Sequence, residues 1–416
     1  MSTATGSLST GTVPTVGTAP RAWLRLAPSV FMLAWGGNHF TPLIAMYEGL
    51  GGYSAWQANL LLSTYVAGLV PGLLVAGPLS DRFGRRWVWL AGMICGLIAS
   101  VMLAPGLHHY LLLCAGRVLA GVGVGVAMSV GTSWMKELSS APFDTKASST
   151  AGARRPSLTL TLGFGLGAGV TGLLAQWAPL PDVLPYLVHA TLSVVALVLG
   201  LSVPETHRPG PIPSPEVERR RLIPLHHRSR FRGIVVPLAP WVFGAAGVAY
   251  AVLPAAVADR LGSYTTLYAT LLTVLALGSG AVVQSFVPAI DARVRGGASW
   301  LGLALMTLGM GAAALASLTD SPFAAAAVAV LLGCAYGVCM VAGLLEIQRI
   351  SHPDDLATLT GVYYSLAYAG FLLPTVLAIL LPSIPYFESL AVVTGISALC
   401  LVIVIRTLRP RRHPAD

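Results

Sequence analysis

Long apolar runs alternate with short polar connections along most of the chain. Each run holds about 20 residues, the length that an α-helix needs to cross a hydrocarbon core about 30 Å thick. Because backbone polar groups inside such a core must be satisfied within the segment itself, the pattern predicts an all-α integral membrane protein. The twelve predicted transmembrane helices cover residues 27–47, 57–77, 87–105, 110–133, 157–177, 184–203, 235–257, 264–287, 298–317, 322–345, 357–380 and 387–405.

The longest connection divides these helices into two sets of six. It covers residues 204–233 and is rich in proline and in clustered arginine. The sequence therefore predicts an amino-terminal six-helix bundle over 27–203, a cytoplasmic linker, and a carboxy-terminal six-helix bundle over 234–406. Residues 1–26, rich in Ser, Thr and Gly, are predicted to form a disordered cytoplasmic tail, and residues 407–416 a second tail.

The composition agrees with a membrane protein. Of the 416 residues, 55% are hydrophobic and 10% are charged, with a mean hydropathy of +0.75. Soluble domains carry about 25% charged residues, so a water-soluble enzyme is excluded. The net charge of +9 does not indicate a nucleic-acid partner, because the basic residues are scattered in short clusters. The five cysteines fall inside apolar runs and have no metal-type spacing, so neither a metal nor a cofactor is predicted.

The basic residues also predict the orientation of the chain. If the amino terminus lies in the cytoplasm, all but two of the 25 Lys and Arg residues lie on the cytoplasmic side. The exceptions are Arg117, inside a predicted helix, and Arg260, in an outer connection. Cytoplasmic connections are enriched in Lys and Arg, so we expect both termini to be cytoplasmic in a multi-pass protein of the cell membrane.

A weak internal repeat relates the two halves. An offset of 210 places Asp81 on Asp291 and Arg85 on Arg295, and an offset of 212 places the fourth predicted helix on the tenth. Parallel repeats of six helices, with the substrate between them, are typical of transporters. The matches in the fourth helix are Gly121, Gly125, Val126, Met128, Gly131 and Ser139, which fall on Gly333, Gly337, Val338, Met340, Gly343 and Ser351.

Three motifs point to one family. The loop between the second and third helices reads Gly-Pro-Leu-Ser-Asp-Arg-Phe-Gly-Arg-Arg over 77–86. The fourth helix contains Arg-Val-Leu-Ala-Gly-Val-Gly over 117–123, and Pro-Glu-Thr over 204–206 follows the sixth. Together they resemble the signature of the major facilitator superfamily, and with twelve spans the resemblance covers nearly the whole chain. It implies two pseudo-symmetric halves, with helices 1, 4, 7 and 10 lining a central cavity.

The resemblance also implies a cytoplasmic gate. In the family, such a loop latches the cytoplasmic side closed in the outward-facing state. The residue types suit this role, since Asp81 can cap a neighbouring helix amino terminus and Arg85 and Arg86 can pair with acids at helix ends. Gly77 would let helices approach closely, and Gly84 would permit a tight turn. The alternative is a loop that is basic only because it is cytoplasmic. The predicted gating residues are Gly77, Asp81, Arg82, Gly84, Arg85, Arg86 and Glu137, with Asp291 and Arg295 as the copy in the second half.

Few polar side chains lie at membrane depth, where they are costly and usually functional. Asn38 and His39 lie midway along the first span, and Arg117 lies in the fourth. By the resemblance, His39 and Arg117 should face the cavity. Ordinary packing is the alternative for each. The residues predicted for the substrate and proton pathway are Trp35, Asn38, His39, Arg117, Tyr250 and Tyr336.

The pathway residues and the fifth helix suggest a proton-driven exporter. No Asp or Glu is predicted at mid-membrane depth, so His39 is the best candidate for a proton carrier by elimination. The fifth helix is glycine-rich and resembles that of drug/proton antiporters, although Ala168 stands where their pattern has proline.

We therefore expect a monomeric secondary transporter that exports small amphipathic molecules in exchange for protons. It would need no cofactor other than the proton gradient, and its partners would be the substrate, protons and the lipid bilayer. The alternative within the fold is an uptake or facilitative carrier for a small neutral or anionic metabolite, with Arg117 as the anion contact. A membrane enzyme is disfavoured, because the two His–His pairs lie in connections without nearby acids.

Overall fold

The computed structural model describes residues 21–148, 150–207, 228–351 and 356–409, and these fold almost entirely into helices. The helices that cross the bundle are, in chain order, α1 (Ala22–Asn38), α2 (Ala55–Phe83), α3 (Arg85–Leu103), α4 (Tyr110–Leu138), α5 (Ala151–Trp177), α6 (Leu184–Leu201), α7 (Arg228–Ala256), α8 (Gly262–Gln284), α9 (Ser299–Ala316), α10 (Pro322–Ile350), α11 (Thr358–Leu380) and α12 (Tyr386–Leu408).

The first span differs in form from the other eleven. Among the described residues, eleven helices are long and apolar enough to cross a membrane. The first predicted span instead consists of α1, a 3₁₀ turn over Thr41–Leu43 and a short helix over Ile44–Gly49. Pro42 explains the break, because it has no amide hydrogen and disfavours the helical conformation of the residue before it. The predicted all-α fold with about twelve spans is confirmed.

Several helix boundaries in the structure differ from those predicted from the sequence. Residues 22–26 of the predicted tail belong to α1, and α7 begins at Arg228, inside the predicted linker. The predictions for residues 1–20, 208–227 and 410–416 lie outside the described residues. The ends of the helices extend beyond the apolar runs because backbone hydrogen bonds continue where the side chains become polar.

Glycines bring α2 and α4 into backbone contact in the first half. A side chain on Gly121 would collide with the carbonyl oxygen of Tyr65, and one on Gly68 would collide with that of Val118. Gly125 likewise lies against the backbone of α2. Small residues at such crossings allow membrane helices to pack by close van der Waals contact.

The same contact recurs between α8 and α10 in the second half. Gly333 lies against the carbonyl oxygen of Ala276, and Gly337 lies against that of Gly280. Adding 212 to the number of Gly68 gives Gly280, so the repeat includes this contact residue as well. The repeat seen in the sequence is therefore a repeated helix crossing.

The helix bundle has two end faces, the basic face and the opposite face. The basic face carries Arg85, Arg230 and Arg349 at or near helix ends. The opposite face carries the first residues of α4 and α8, Tyr110 and Gly262.

We expect Gly121→Ala to lower the free energy of unfolding by about 1–3 kcal/mol, because the added methyl group must push α2 away from α4. The matched control is Gly278→Ala in α8, where nothing lies within 4 Å of the added carbon. Gly278→Ala should leave stability unchanged or raise it by up to about 1 kcal/mol, since alanine favours the helix. Unfolding of the purified protein in detergent measures both, and equal losses would contradict the backbone contact.

Candidate functional site

A cavity of about 300 Å³ lies between the two halves. Eight helices contribute to its wall: α1, α2, α4 and α5 from the first half, and α7, α8, α10 and α11 from the second. Its volume is at the lower end of the range for small-molecule sites. The lining residues are Gly37, Asn38, Leu62, Tyr65, Arg117, Met128, Ser157, Leu160, Thr161, Phe164, Phe243, Tyr250, Leu277, Ala281, Gln284, Tyr336, Met340, Val341, Leu344, Tyr364, Tyr368 and Phe371.

The cavity extends from the middle of the bundle toward the basic face. Ser157 and Leu344 lie within two turns of the ends of α5 and α10 on that face, and Gln284 is the last residue of α8. Ser157 and Thr161 are exposed, so this end of the cavity wall is accessible from the basic face.

Hydrogen bonds between the halves close the opposite face. Ser63 of α2 donates to the carbonyl oxygen of Phe371 over 2.9 Å, and its hydroxyl lies 2.8 Å from that of Thr375 in α11. The carbonyl of Phe371 lies at an interruption of α11, between a helical segment that ends at Ala369 and one that begins at Leu372. Nearer the surface, the side-chain amide of Gln176 donates to the carbonyl oxygen of Ser263 over 3.1 Å.

Arg117 is the charged residue of the cavity wall, and it is fully buried. Its Nε donates to the carbonyl oxygen of Leu61 over 3.1 Å, and Nη1 reaches that of Gly37 over 3.4 Å. Its guanidinium carbon lies 4.6 Å from the ring centre of Phe40 and 4.8 Å from that of Tyr65. Nη2 has no hydrogen-bond partner among the described residues. As predicted, Arg117 borders the central cavity.

Aromatic rings form much of the wall contributed by the second half. The rings of Phe243 and Tyr368 stack with centres 4.0 Å apart, and Phe371 lies 4.9 Å from Phe243. Tyr250 and Tyr336 also line the cavity, as predicted. Tyr250 lies in a π-helical turn of α7, over Val248–Val252, and such turns are frequent at functional sites.

Asn38 connects the break in the first span to α5. Its Nδ2 donates to the carbonyl oxygen of Phe164 over 3.0 Å, and its Oδ1 accepts from the hydroxyl of Thr41 over 2.7 Å. Asn38 lines the cavity and is nearly buried. It thus holds the end of α1 in place and leaves a small polar surface at the cavity wall.

His39 does not line the cavity, in contrast to our expectation. Its side chain is fully buried between the rings of Tyr186 and His189, whose centres lie 4.8 and 5.0 Å away. Within the described part of the chain, neither ring nitrogen of His39 has a hydrogen-bond partner. Asn38 and His39 are neighbours in the sequence, but at the end of a helix they point in different directions.

Trp35 also lies outside the cavity wall. Its indole nitrogen donates to the hydroxyl of Thr171 over 3.0 Å, which ties α1 to α5 inside the first half. A side chain on Gly167 would collide with the Trp35 ring, so the glycines of α5 make room for this packing. The contacts of Trp35 are those of a packing residue.

The predicted gating residues of the first half form a cluster on the basic face. Arg85 pairs with Asp81 over 2.7 Å and with Glu137 over 2.9 Å. Both partners belong to the first half, and the hydroxyl of Thr206, which follows α6 in the connection between the halves, also donates to Glu137. Arg82 lies over the ring of Phe83, and Arg86 is exposed.

Two expectations about this loop are corrected. Glu205, not Asp81, caps the neighbouring helix, because its carboxylate accepts the backbone N–H groups of Arg85 (3.1 Å) and Arg86 (2.9 Å) at the start of α3. Gly84 makes the tight turn as expected, with φ of 91°. Gly77, expected to allow close helix approach, has nothing within 4 Å of the position of a Cβ atom.

The second half carries its own cluster on the same face. Asp291 forms an ion pair with Arg349 and accepts the backbone N–H of Ala298 over 2.7 Å. Arg349 also binds Glu346 over 2.6 Å, and Arg230 binds Glu346 over 2.8 Å.

Arg295 does not form the ion pair with Asp291 that the repeat predicts. Its carbonyl oxygen accepts from the indole of Trp300, while Arg349 supplies the cation for Asp291. The sequence did contain a signal for Arg349, since adding 212 to the number of Glu137 gives 349. The charges are thus reversed between the halves. Arg85 at the start of α3 pairs with Glu137 of α4 in the first half, and Asp291 in the short helix Val287–Arg293 pairs with Arg349 of α10 in the second.

Comparison with known families identifies the fold. Residues 26–375, well over half of the chain, match the profile of the Major Facilitator Superfamily. The chain belongs to this superfamily. It is accordingly a multi-pass membrane protein, and membership in a superfamily of transport proteins argues against the membrane-enzyme alternative.

Sequence relatives within the superfamily carry different solutes by name. The high-affinity gluconate transporter ght3 of Schizosaccharomyces pombe is 28% identical over 24% of this chain and 18% of its own length. A chloramphenicol resistance protein of Pseudomonas aeruginosa is 36% identical over 20% of this chain and 19% of its own length. Glucose, polyol and inositol transporters are further relatives. The alignments span 17% to 30% of the length of these curated proteins.

A solved superfamily structure has the same fold at low identity. The crystal structure of a D-xylose–proton symporter matches with a TM-score of 0.66 and 17% identity, over 92% of this chain and 96% of that one. The two-half architecture therefore extends over nearly the whole described chain.

We expect Glu205→Gln to lower the free energy of unfolding by about 1 kcal/mol, because the amide caps the start of α3 less well than the carboxylate. Glu388→Gln is the matched control, since Glu388 is exposed in the first turn of α12. Unfolding in detergent compares the two variants. A smaller loss for Glu205→Gln than for Glu388→Gln would contradict the capping role.

Proposed function

We propose that this chain is a secondary transporter that moves a small neutral or anionic metabolite across the cell membrane by alternating access. The observation that carries the proposal is a central cavity that lies between the halves and reaches the basic face, while hydrogen bonds join the halves toward the opposite face. A site at the interface of two repeats can be exposed to either side when one half rocks against the other.

The relatives support a metabolite as the substrate. Gluconate, glucose, polyols and inositol are polar molecules, and the cavity offers hydroxyl and amide groups for them on Asn38, Thr161, Gln284 and Tyr336. Sugar-like solutes also contact aromatic rings, and Phe243 contributes to such a wall.

Export of amphipathic compounds, which the sequence favoured, becomes the second candidate. Its support is the chloramphenicol resistance relative and the apolar, aromatic part of the cavity wall. Uptake and efflux assays with gluconate, glucose, inositol and chloramphenicol in vesicles of defined orientation separate the two candidates.

The proposed orientation places the basic face in the cytoplasm, with both termini on that side. It is supported by the distribution of Lys and Arg along the chain. In that orientation, the described conformation is the one that is open to the cytoplasm.

A disulfide across the closed face tests alternating access. In Ser63→Cys/Thr375→Cys, the two sulfurs take the places of oxygens 2.8 Å apart, so oxidation should join α2 to α11. We expect the oxidised double variant to lose transport in proteoliposomes and to regain it after reduction. Each single variant, treated in the same way, is the control, and full transport by the cross-linked protein would contradict the proposal.

We propose separately that transport is coupled to protons and that His39, although it lies outside the cavity wall, takes up the proton. His39→Gln should abolish accumulation driven by a pH gradient while downhill exchange continues, because the glutamine cannot take up a proton. The control is His108→Gln, which changes an exposed histidine in the connection before α4. Accumulation that matches the unchanged protein would remove His39 from the proton pathway.

A further inference from the structure

The charge of the cavity wall is unbalanced. Arg117 is fully buried, and none of the lining residues, all from the described ranges, is an Asp or a Glu. The partners of Arg117 are two backbone carbonyl oxygens, which are dipoles and carry no net charge. Buried charges in proteins are normally paired with an opposite charge, so this wall lacks a counter-charge.

The geometry of Arg117 indicates where the counter-charge would bind. The rings of Phe40 and Tyr65 lie against the guanidinium. Its N–H donors all point outward in the guanidinium plane, so a hydrogen-bonding ligand must approach in that plane. Nε is used by Leu61, and Nη1 is held weakly by Gly37 over 3.4 Å. Nη2 is without a partner in the described chain although it is buried, and Arg117 borders the cavity. An oxyanion that enters from the cavity would satisfy Nη2 once the side chains that cover this buried atom move aside.

The single positive charge of Arg117 calls for a ligand group with a single negative charge. A carboxylate neutralises the guanidinium and accepts in-plane hydrogen bonds from it. A phosphate group, with nearly two negative charges, would leave a second charge unpaired in an apolar site. A cationic solute would be repelled by Arg117 across a wall that contains no acid.

The rest of the wall suits an uncharged body attached to that group. Phe243, Tyr368 and Phe371 form a continuous ring surface on the side of the second half. Tyr250 and Tyr336 border the same space and bring their hydroxyl groups as hydrogen-bonding partners.

We propose that the cavity binds small organic monocarboxylates, with the carboxylate at Nη2 of Arg117 and the uncharged body against the aromatic wall of α7 and α11. This inference rests on the proposed function and narrows its substrate class. The gluconate transporter among the relatives carries a molecule of this class by name.

Two pairs of compounds test the charge requirement. Gluconate and sorbitol are both open chains of six carbons that differ in one carboxylate, and benzoate and benzamide are rings that differ in the same way. Dissociation constants are measured by thermal shift on the purified full-length chain. For at least one pair, we expect the carboxylate to bind at least about tenfold more tightly than its neutral partner, since a charge-assisted contact replaces a neutral one.

Variants of Arg117 test whether this residue causes the preference for carboxylates. In Arg117→Gln the ratio of the binding affinities of the carboxylate and its neutral partner should fall to about one. In Arg117→Lys this ratio should be intermediate, because lysine keeps the charge but not the planar fork. Arg260→Gln, which removes the same charge from an exposed arginine, should leave the ratio unchanged. If Arg117→Gln does not fold, Arg117→Lys and the unchanged protein still decide the ratio.

The outcomes separate this inference from the proposed function. A neutral partner that binds as tightly as its carboxylate in both pairs would overturn the inference, as would a ratio that survives in Arg117→Gln. Exchange of sorbitol but not of gluconate or benzoate in proteoliposomes would also overturn it and leave the proposed transport intact. If no solute of either pair is exchanged, the proposed function fails, and the binding ratio still decides the charge requirement.

Discussion

The backbone contact at the glycines of α4 and α10 is the constraint on which the site depends. Gly121 lies one turn after Arg117, and Gly333 lies one turn before Tyr336. Because each glycine fixes its helix against the backbone of a neighbour, it also fixes the height at which the nearby side chain meets the cavity. Membrane helices gain little from burying apolar groups, so such close contacts must supply much of the packing energy.

The polar residues of the bundle divide into two kinds. Asn38 and Trp35 use their hydrogen bonds to join α1 to α5, and they keep the first half together around the break at Pro42. Arg117, in contrast, keeps one donor group without a partner among the described residues, and so does the ring of His39. The same helix bundle thus contains polar side chains that complete the fold and others whose hydrogen bonding is left incomplete.

The sequence predicts the helices well because apolar runs of membrane length have few alternatives. Arg117, Tyr250 and Tyr336 could be found for a related reason, since a polar group inside an apolar run stands out. The difference between Asn38 and His39 could not be predicted, because it depends on how the chain turns at a helix end. The pairing of Asp291 with Arg349 depends on where a distant helix ends, and only the repeat offset pointed to it.

The separate ion-pair clusters of the basic face also affect how the two halves can meet. Arg85 already has Asp81 and Glu137, and Arg349 already has Asp291 and Glu346. Any ion pair formed between the halves, when they approach on this face, must compete with partners that are already in place. Its net contribution is then the difference between two similar interactions, so the approach of the halves can be nearly neutral in electrostatic energy and easily reversed.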